Sequence, residues 1–387
     1  MRRSLLIAQT LAYPPSELVI LMVAEARQAG AFAMPPGMDC LILPALRKDM
    51  DGQYEARYLD ISLHELVALR AKAIRAALEV FEPDVLIVDK LPRGALRELD
   101  PTLESLHARG RTRCVLGLRD VLDDPAAVQR EWCSTADEDA IRDHYDAVWV
   151  YGDPAVYDLV REYHLSPDVA AKVRYTGYLD QRMRLKFAQV EGAEPLAALV
   201  LPPGRLVLCL VGGGQDGARL AEAFVQADLP PEANGVVLTG PFMSPEIQQR
   251  LRRHVARHPR FRVLEFVTEP ALLLSRADRV IAMGGYNTIC EVLSFEKRAL
   301  IVPRVKPRRE QLIRAERLRD LGLLDVLPLD QLSPRALSEW LARELGPLPR
   351  VRDRVDLNGL TRLPGLLEEV LAISPYPVQS QSYEREI

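Results

Sequence analysis

The chain of 387 residues is too long for one ordinary hydrophobic core and suits two domains of about 150–200 residues each. Hydrophobic residues make up 48% and charged residues 27% of the sequence, which is typical of a globular protein. A net charge of −4 gives no global reason to expect binding to nucleic acid.

The N-terminal segment has some features of a signal peptide: two arginines, an apolar stretch and the small residues Ala24 and Ala26. Against that interpretation, Gln9, Thr10 and Glu17 interrupt the apolar region. The five cysteines are scattered without a C-x-x-C pair, which favours reduced thiols and excludes the usual structural zinc motif. We therefore expect a cytoplasmic protein.

The N-terminal half alternates short apolar runs with longer helical patterns. The helical period is clearest over 62–81, where apolar residues recur every three or four positions. The apolar runs predict strands at 18–23, 40–44, 84–89, 113–118 and 147–151.

The same alternation resumes after an irregular stretch at 181–204. It predicts strands at 206–211, 235–240, 262–266, 279–283 and 298–303. Strands that are apolar on both faces and separated by helices indicate parallel sheets covered on both sides. Two such series predict an α/β protein with two Rossmann-like, doubly wound domains.

A glycine-rich turn follows the first strand of the second series. In "LVLCLVGGGQDGARLAEAF", Gly212, Gly213, Gly214 and Gln215 lie between a strand and a helix. Glycines let a ligand approach the main chain closely, and a helix start offers free N–H groups. The turn is neither a Walker loop nor a good G-x-G-x-x-G motif, so the alternatives are a phosphate contact and a flexible turn.

A second strand-to-helix junction lies in "RVIAMGGYNTICEVLSF". Gly284 and Gly285 follow the strand, and we expect Asn287 or Thr288 to cap the next helix, with Glu291 near its first turn. A carboxylate there can accept two hydrogen bonds from a vicinal diol such as a ribose. The alternative is a surface glutamate that complements the helix dipole.

The order of the following pieces resembles the C-terminal half of the GT-B glycosyltransferases. After Glu291 come a strand ending at Pro303, a basic loop, and Glu310 and Gln311 at the start of a helix. The closest resemblance is to the family that includes the N-acetylglucosaminyltransferase of peptidoglycan lipid synthesis. It covers about 205–373, including "DLNGLTRLPGLLEEVL", which looks like the final helix of that fold.

The resemblance implies a role for each matching position in binding a nucleoside diphosphate sugar. Glu291 would hold the ribose, and Arg304 and Arg308 are further candidates to neutralise phosphate. The other implied contacts are with the diphosphate or acceptor (Gly212, Gly213, Gly214, Gln215), the nucleotide (Thr239, Gly240), the base (Phe266, Val267), the phosphates (Gly284, Gly285, Asn287, Thr288) and the donor sugar (Glu310, Gln311).

The same resemblance implies GT-B architecture with a cleft between the domains. We expect an acceptor domain at 1–183, a linker at 184–204 and a nucleotide-sugar domain at 205–355. A C-terminal helix at 356–373 and a flexible tail at 374–387 would follow.

The N-terminal half departs from the pattern, because neither a first strand nor its glycine-rich loop precedes "MRRSLLIAQTLA". We therefore expect that the chain is truncated or that its start is misassigned, and upstream in-frame DNA encoding such a strand and loop would test this. The missing loop also removes the usual candidate for a general base. Asp89 and Asp120 at predicted strand ends are weak candidates, Asp153 is a weaker one, and no metal or other cofactor is expected.

The resulting hypothesis is a hexosyltransferase that moves a sugar from a nucleoside diphosphate sugar to a small-molecule or lipid-linked acceptor. A nucleotide-sugar 2-epimerase and a non-catalytic partner protein with the same fold remain alternatives. The sequence leaves open the acceptor, the sugar, the base, the stereochemical outcome, peripheral membrane contact and the oligomeric state.

Overall fold

The computed structural model describes residues 2–13, 18–25, 32, 34–48, 54–188, 199, 201–214, 216–267, 269–344 and 346–373. The predicted tail, Gln215 and most of the predicted linker lie outside these ranges. No helix in the described ranges is long and apolar enough to cross a membrane.

The N-terminal half begins with helix α1 (Arg2–Leu11). The strands in its described residues form three small sheets, and four parallel strands make the largest, in the order β5-β6-β7-β8. The strands are β1 (Ile20–Ala24), β2 (Met38–Ile42), β3 (Leu46–Lys48), β4 (Tyr54–Ala56), β5 (Val85–Asp89), β6 (Arg113–Arg119), β7 (Ala147–Tyr151) and β8 (Val173–Tyr175). The remaining helices are α2 (Leu63–Phe81), α3 (Asp100–Arg109), α4 (Pro125–Thr135), α5 (Asp137–His144), α6 (Leu159–Glu162), α7 (Pro167–Lys172) and α8 (Met183–Ala188).

Helix α2 begins at a capping box formed by Ser62 and Glu65. The side chain of Ser62 accepts a hydrogen bond from the Glu65 amide, while the Glu65 carboxylate accepts one from the Ser62 amide. Together with α3, this helix covers one face of the four-stranded sheet, and α1 packs on the other. The carboxyl ends of β5, β6 and β7 lie at one edge of the sheet face that α1 covers.

The C-terminal half contains one parallel sheet of six strands in the order β11-β10-β9-β12-β13-β14. Its strands are β9 (Arg205–Leu210), β10 (Ala233–Leu238), β11 (Phe261–Leu264), β12 (Arg279–Ala282), β13 (Arg298–Ile301) and β14 (Asp325–Val326). The helices are α9 (Ala218–Val225), α10 (Pro245–Val255), α11 (Pro270–Arg276), α12 (Tyr286–Ser294), α13 (Glu310–Asp320), α14 (Pro334–Ala342) and α15 (Gly359–Leu371).

This sheet has a topological switch point between β9 and β12. From β9 the chain proceeds outward through β10 and β11, then returns to pair β12 with the other side of β9. Helices α9, α10 and α14 pack on one face of the sheet, while α11, α12 and α13 pack on the other. Ligands of open α/β sheets bind in the crevice outside the carboxyl ends at such a point.

The chain returns to the N-terminal half at its last helix. The amide of Tyr178 donates to the carbonyl of Asp356 at 2.8 Å, and the amide of Gly359 donates to the carbonyl of Tyr178 at 3.1 Å. Helix α15 then contacts α1. The C-terminal segment therefore fastens the two halves together through backbone hydrogen bonds at Tyr178 and the packing of α15 on α1.

Candidate functional site

The two predicted glycine loops lie side by side at the switch point. Gly212–Gly214 follow β9, and Gly284 and Gly285 follow β12, its hydrogen-bonded neighbour. The helices that continue from these loops pack on opposite faces of the sheet. The loops therefore flank the crevice, which agrees with their predicted positions.

Close packing explains the glycines at positions 214 and 240. A Cβ atom at Gly214 would lie 2.2 Å from the carbonyl oxygen of Thr239, and one at Gly240 would lie 2.3 Å from that of Gly212. Both residues also have positive φ angles, +92° and +78°. The Thr239 hydroxyl is buried and donates to the carbonyl of Leu264 at 3.2 Å, so this side chain is already engaged within the protein.

Helix α12 begins two or three residues earlier than expected. Gly285 is its N-cap and Tyr286 its first residue, so the prediction that Asn287 or Thr288 caps the helix is wrong. The reason is Tyr286, whose ring stacks on Tyr178 and whose hydroxyl donates to the Tyr151 carbonyl at 2.7 Å. Within the part of the chain that the structure describes, no side chain caps this helix start, so its first N–H groups are available to an anion.

Glu291 lies in the second turn of α12 and is buried. The guanidinium of Arg2 lies 3.9 Å from its carboxylate and donates to the carbonyl of Val267 at 3.2 Å. Burial raises the pKa of Glu291, and the nearby Arg2 only partly offsets it. The guanidinium of Arg2 thus links Glu291, the predicted ribose contact, to Val267, a predicted base contact. Phe266, the other predicted base contact, is exposed.

Glu310 and Gln311 open helix α13 beside the second glycine loop. A Cβ atom at Gly284 would lie 3.1 Å from the Gln311 carbonyl oxygen, so the helix start and the loop are in contact. Arg304 pairs with Glu310 at 3.0 Å and with Asp216 of the first loop at 2.9 Å. Arg308 instead reaches the N-terminal half, where it pairs with Glu131 at 2.7 Å. Both candidate phosphate-neutralising arginines are therefore engaged in ion pairs.

Asp120 joins the two halves of the protein in a buried ion pair and is therefore not free to act as a base. Its carboxylate accepts from Nε and Nη2 of Arg314 at 2.7–2.9 Å and from the Tyr178 hydroxyl at 2.7 Å. Both side chains of the ion pair are fully buried, and the Arg314 Nη1 atom also donates to the Gly284 carbonyl at 3.2 Å. In this conformation an acceptor hydroxyl has no access to Asp120.

The other two strand-end carboxylates also have partners. Asp89 is more exposed and pairs with Arg3 of α1. Burial would raise the pKa of Asp89, but Arg3 and Arg119 outweigh it and lower the pKa below the usual range, which makes Asp89 a weak base. Asp153 accepts from the amides of Ala155 and Asp356, both at 2.8 Å. The general base therefore remains unassigned.

Several buried polar atoms in the cleft lack hydrogen-bond partners. Of eleven such side-chain atoms in the described part of the chain, five belong to Arg3, Arg119, Arg304 and Glu310. Unpaired buried polar atoms are rare in native proteins, so these atoms are candidates to bind a polar group from outside the protein. The sequence analysis did not identify Arg2, Arg3, Arg119 and Arg314. In a sequence with 43 arginines, no single arginine gives a distinctive signal.

A second cavity, of about 440 Å³, lies on the outer side of α13. Tyr157 and Glu162 from the N-terminal half and Ile313 and Arg317 from α13 line part of it. None of the predicted donor-binding residues borders this cavity. Among the described residues, no three His, Cys, Asp or Glu side chains group as a metal site, so the expected metal independence stays a prediction.

Two solved structures align with nearly the whole chain. The calicheamicin glycosyltransferase has a TM-score of 0.58 and 17% identity, with 97% of this chain and 96% of that chain covered. The UDP-N-acetylglucosamine 2-epimerase of Methanocaldococcus jannaschii has a TM-score of 0.59 and 13% identity, with 94% and 95% covered. The chain has the GT-B fold.

The family-model comparison concerns the C-terminal half of this GT-B protein. Residues 207–350 match the glycosyltransferase family 28 C-terminal domain. A Cronobacter sakazakii protein, UDP-N-acetylglucosamine–N-acetylmuramyl-(pentapeptide) pyrophosphoryl-undecaprenol N-acetylglucosamine transferase, is 30% identical over 153 residues. That match covers 37% of this chain and 42% of the relative, so the chain spans less than half of the curated relative.

Proposed function

We propose that the protein transfers a sugar, a hexose, from a nucleoside diphosphate sugar to a small-molecule or lipid-linked acceptor. The observation that carries the proposal is the pair of glycine loops at the switch point, with Glu291 and Glu310 on the helices beside them. The match of residues 207–350 to the family 28 domain supports the same reading. The proposal includes a cytoplasmic location and independence of metal ions.

The chemistry would rest on positioning and on stabilising the departing diphosphate. The uncapped N-terminus of α12 and the amides of the glycine loops would face the developing negative charge. Glu310 has one buried oxygen, Oε2, without a hydrogen-bond donor, and a sugar hydroxyl would satisfy it. The N-terminal half would supply the acceptor side of the cleft.

Nucleotide binding tests the proposal directly. Thermal unfolding would be measured with UDP, dTDP, GDP and ADP at millimolar concentration, because a ligand that binds only the folded state raises the melting temperature. At least one nucleoside diphosphate should stabilise the protein, and its sugar conjugates should be consumed when acceptors are added. An unchanged melting temperature with all four nucleotides would contradict the proposal.

Structures of 2-epimerases align as well as transferases, which keeps epimerisation as a second candidate. An epimerase isomerises the nucleotide sugar without an acceptor, whereas a transferase needs one. Incubating the protein with UDP-N-acetylglucosamine alone and analysing the sugar by NMR separates the two. Accumulation of the 2-epimer would favour the second candidate.

The substitution Glu291→Gln should weaken nucleotide binding without lowering the stability of the fold. The raised pKa means that ionised Glu291 is disfavoured by folding, so the neutral amide should leave the stability of the free protein unchanged or higher at pH 7. Loss of a charged acceptor for the ribose should weaken UDP binding about 10–100-fold.

Calorimetric titration of UDP and thermal unfolding measure these two effects. The control is Glu339→Gln, which removes the same charge from an exposed ion pair on α14 and should change neither. Equal UDP affinity in the Glu291→Gln variant and the wild type would exclude the ribose contact.

A further inference from the structure

Arg119 lies at the carboxyl end of β6, in the floor of the cleft. It is opposite Tyr151 in the register of β6 and β7, and Asp89 is the last residue of the neighbouring β5. The Nε atom of Arg119 is buried without a hydrogen-bond partner, and no ion pair or ring contact of its guanidinium is found in the described ranges. This position is therefore unlike those of Arg304, Arg308 and Arg314, which all have carboxylate partners.

The charges around Arg119 do not neutralise it. Asp89 and Glu310 act on it electrostatically, but Asp89 pairs with Arg3, and Glu310 pairs with Arg304 at 3.0 Å. Burial and the neighbouring Arg3 lower the pKa of Arg119 to about 10. Arg119 is half-buried, and its guanidinium stays partly desolvated without a paired counterion unless a partner arrives from outside the protein.

Arg3 is another guanidinium in the cleft, and other residues of the protein compensate its charge. Its Nε and Nη1 atoms also lack hydrogen bonds, but its charge lies 5.2 Å from the Tyr151 ring centroid and 5.1 Å from that of Tyr286. The ring faces and Asp89 together compensate this cation. Arg119 has neither form of compensation within the described residues.

We propose that Arg119 binds an oxyanion, a phosphate or carboxylate, of a substrate held in the cleft. The inference rests on the proposed function, because that function supplies an anionic substrate at this position. Two sources share the chemistry: the diphosphate of the donor and an acidic group of the acceptor. A planar guanidinium with free N–H groups fits either by paired, charge-assisted hydrogen bonds.

The test uses the full chain with Arg119→Gln and Arg119→Lys, and with Arg111→Gln as the matched control. Arg111 is exposed and precedes the amino end of the same strand, so its substitution removes one positive charge far from the cleft. Binding of UDP, and of inorganic pyrophosphate with and without saturating UDP, would be measured by calorimetry. Urea unfolding of each variant reports stability.

If Arg119 takes the donor diphosphate, Arg119→Gln weakens UDP binding at least about tenfold, Arg119→Lys restores part of it, and pyrophosphate competes with UDP. If it takes an acceptor anion, UDP binding stays unchanged while the UDP-loaded Arg119→Gln variant loses pyrophosphate binding. In either case Arg119→Gln is at least as stable as the wild type, since the amide removes an unpaired, half-buried charge.

Unchanged binding of both UDP and pyrophosphate to Arg119→Gln, alongside normal binding to the wild type, overturns this inference and leaves the proposed function standing. A clear loss of stability with unchanged binding also overturns it, since that result describes a structural residue. A wild type that binds pyrophosphate through Arg119 but none of the nucleotides overturns the proposed function instead.

Discussion

Replacing Arg314 with alanine is expected to lower the free energy of unfolding by about 3–5 kcal/mol, a large part of a typical total of about 5–15 kcal/mol. The substitution leaves Asp120 as a fully buried carboxylate with only the Tyr178 hydroxyl and one backbone amide as donors. It also removes the donors to the carbonyls of Gly284 and Val121. Urea unfolding at pH 7 measures the change.

Arg317→Ala provides the matched control on the same helix. Arg317 lies three residues further along α13 and also pairs across the two halves, with Glu162 at 3.1 Å, but its side chain is 44% exposed. Water screens that pair, so its loss should cost no more than about 1 kcal/mol. Equal costs for the two variants would show that the Asp120–Arg314 pair does not hold the halves together.

A double substitution separates the value of the pair from the cost of breaking it. Asp120→Asn combined with Arg314→Met removes both charges, keeps an acceptor for Tyr178 and retains apolar volume. Buried pairs replaced in this way are often close to neutral in stability. The double variant should therefore recover most of the stability lost in Arg314→Ala, whereas simple loss of packing predicts that the costs add.

The strands of both large sheets could be predicted because parallel strands buried on both faces leave continuous apolar runs. The prediction 147–151 coincides with β7, and 279–283 exceeds β12 by one residue. The strands that were missed are short: β3, β4 and β8 have three residues each, and β14 has two. Runs of that length carry no periodicity, and tertiary packing decides their conformation.

The glycine loops could be found for a similar local reason. A strand, a run of glycines and a helix are consecutive in sequence, so the signal for Gly212–Gly214 or Gly285 is contained within about 15 residues. The cap of α12 was misjudged because the side chains of Asn287 and Thr288 suit an N-cap by propensity. Contacts of Tyr286 with Tyr178 and Tyr151, far away in the chain, decided otherwise.

The buried Asp120–Arg314 ion pair in the cleft could not be predicted from the sequence. Asp120 and Arg314 are separated by 194 positions, and neither residue type is unusual in so arginine-rich a chain. Only the fold reveals that Asp120 is bound in an ion pair, whereas Arg119, its neighbour in sequence, has none among the described residues. The difference arises because the fold brings Arg314 of α13 against Asp120, 194 positions away in the sequence.

The substitution Gly285→Asp should nearly abolish nucleotide binding without harming the fold. A Cβ atom at Gly285 meets no atom within 4 Å, and its φ of −62° and ψ of 143° suit an aspartate N-cap. The new carboxylate would stand where we expect the diphosphate. Repulsion between unit charges about 4 Å apart is about 1 kcal/mol in water and about 4 kcal/mol at an effective dielectric constant of 20.

Gly285→Asn is the isosteric control, since it adds the same volume and caps the helix equally well without a charge. UDP affinity, measured by calorimetry, should fall at least about tenfold further in the aspartate variant than in the asparagine variant. Uridine, which lacks phosphates, should bind the two variants equally. If the two variants bind UDP equally, no phosphate lies at the start of α12, and the donor must occupy another part of the crevice. A drop for uridine as large as that for UDP would instead place the nucleoside against Gly285, because only a steric or local structural effect acts on an uncharged ligand.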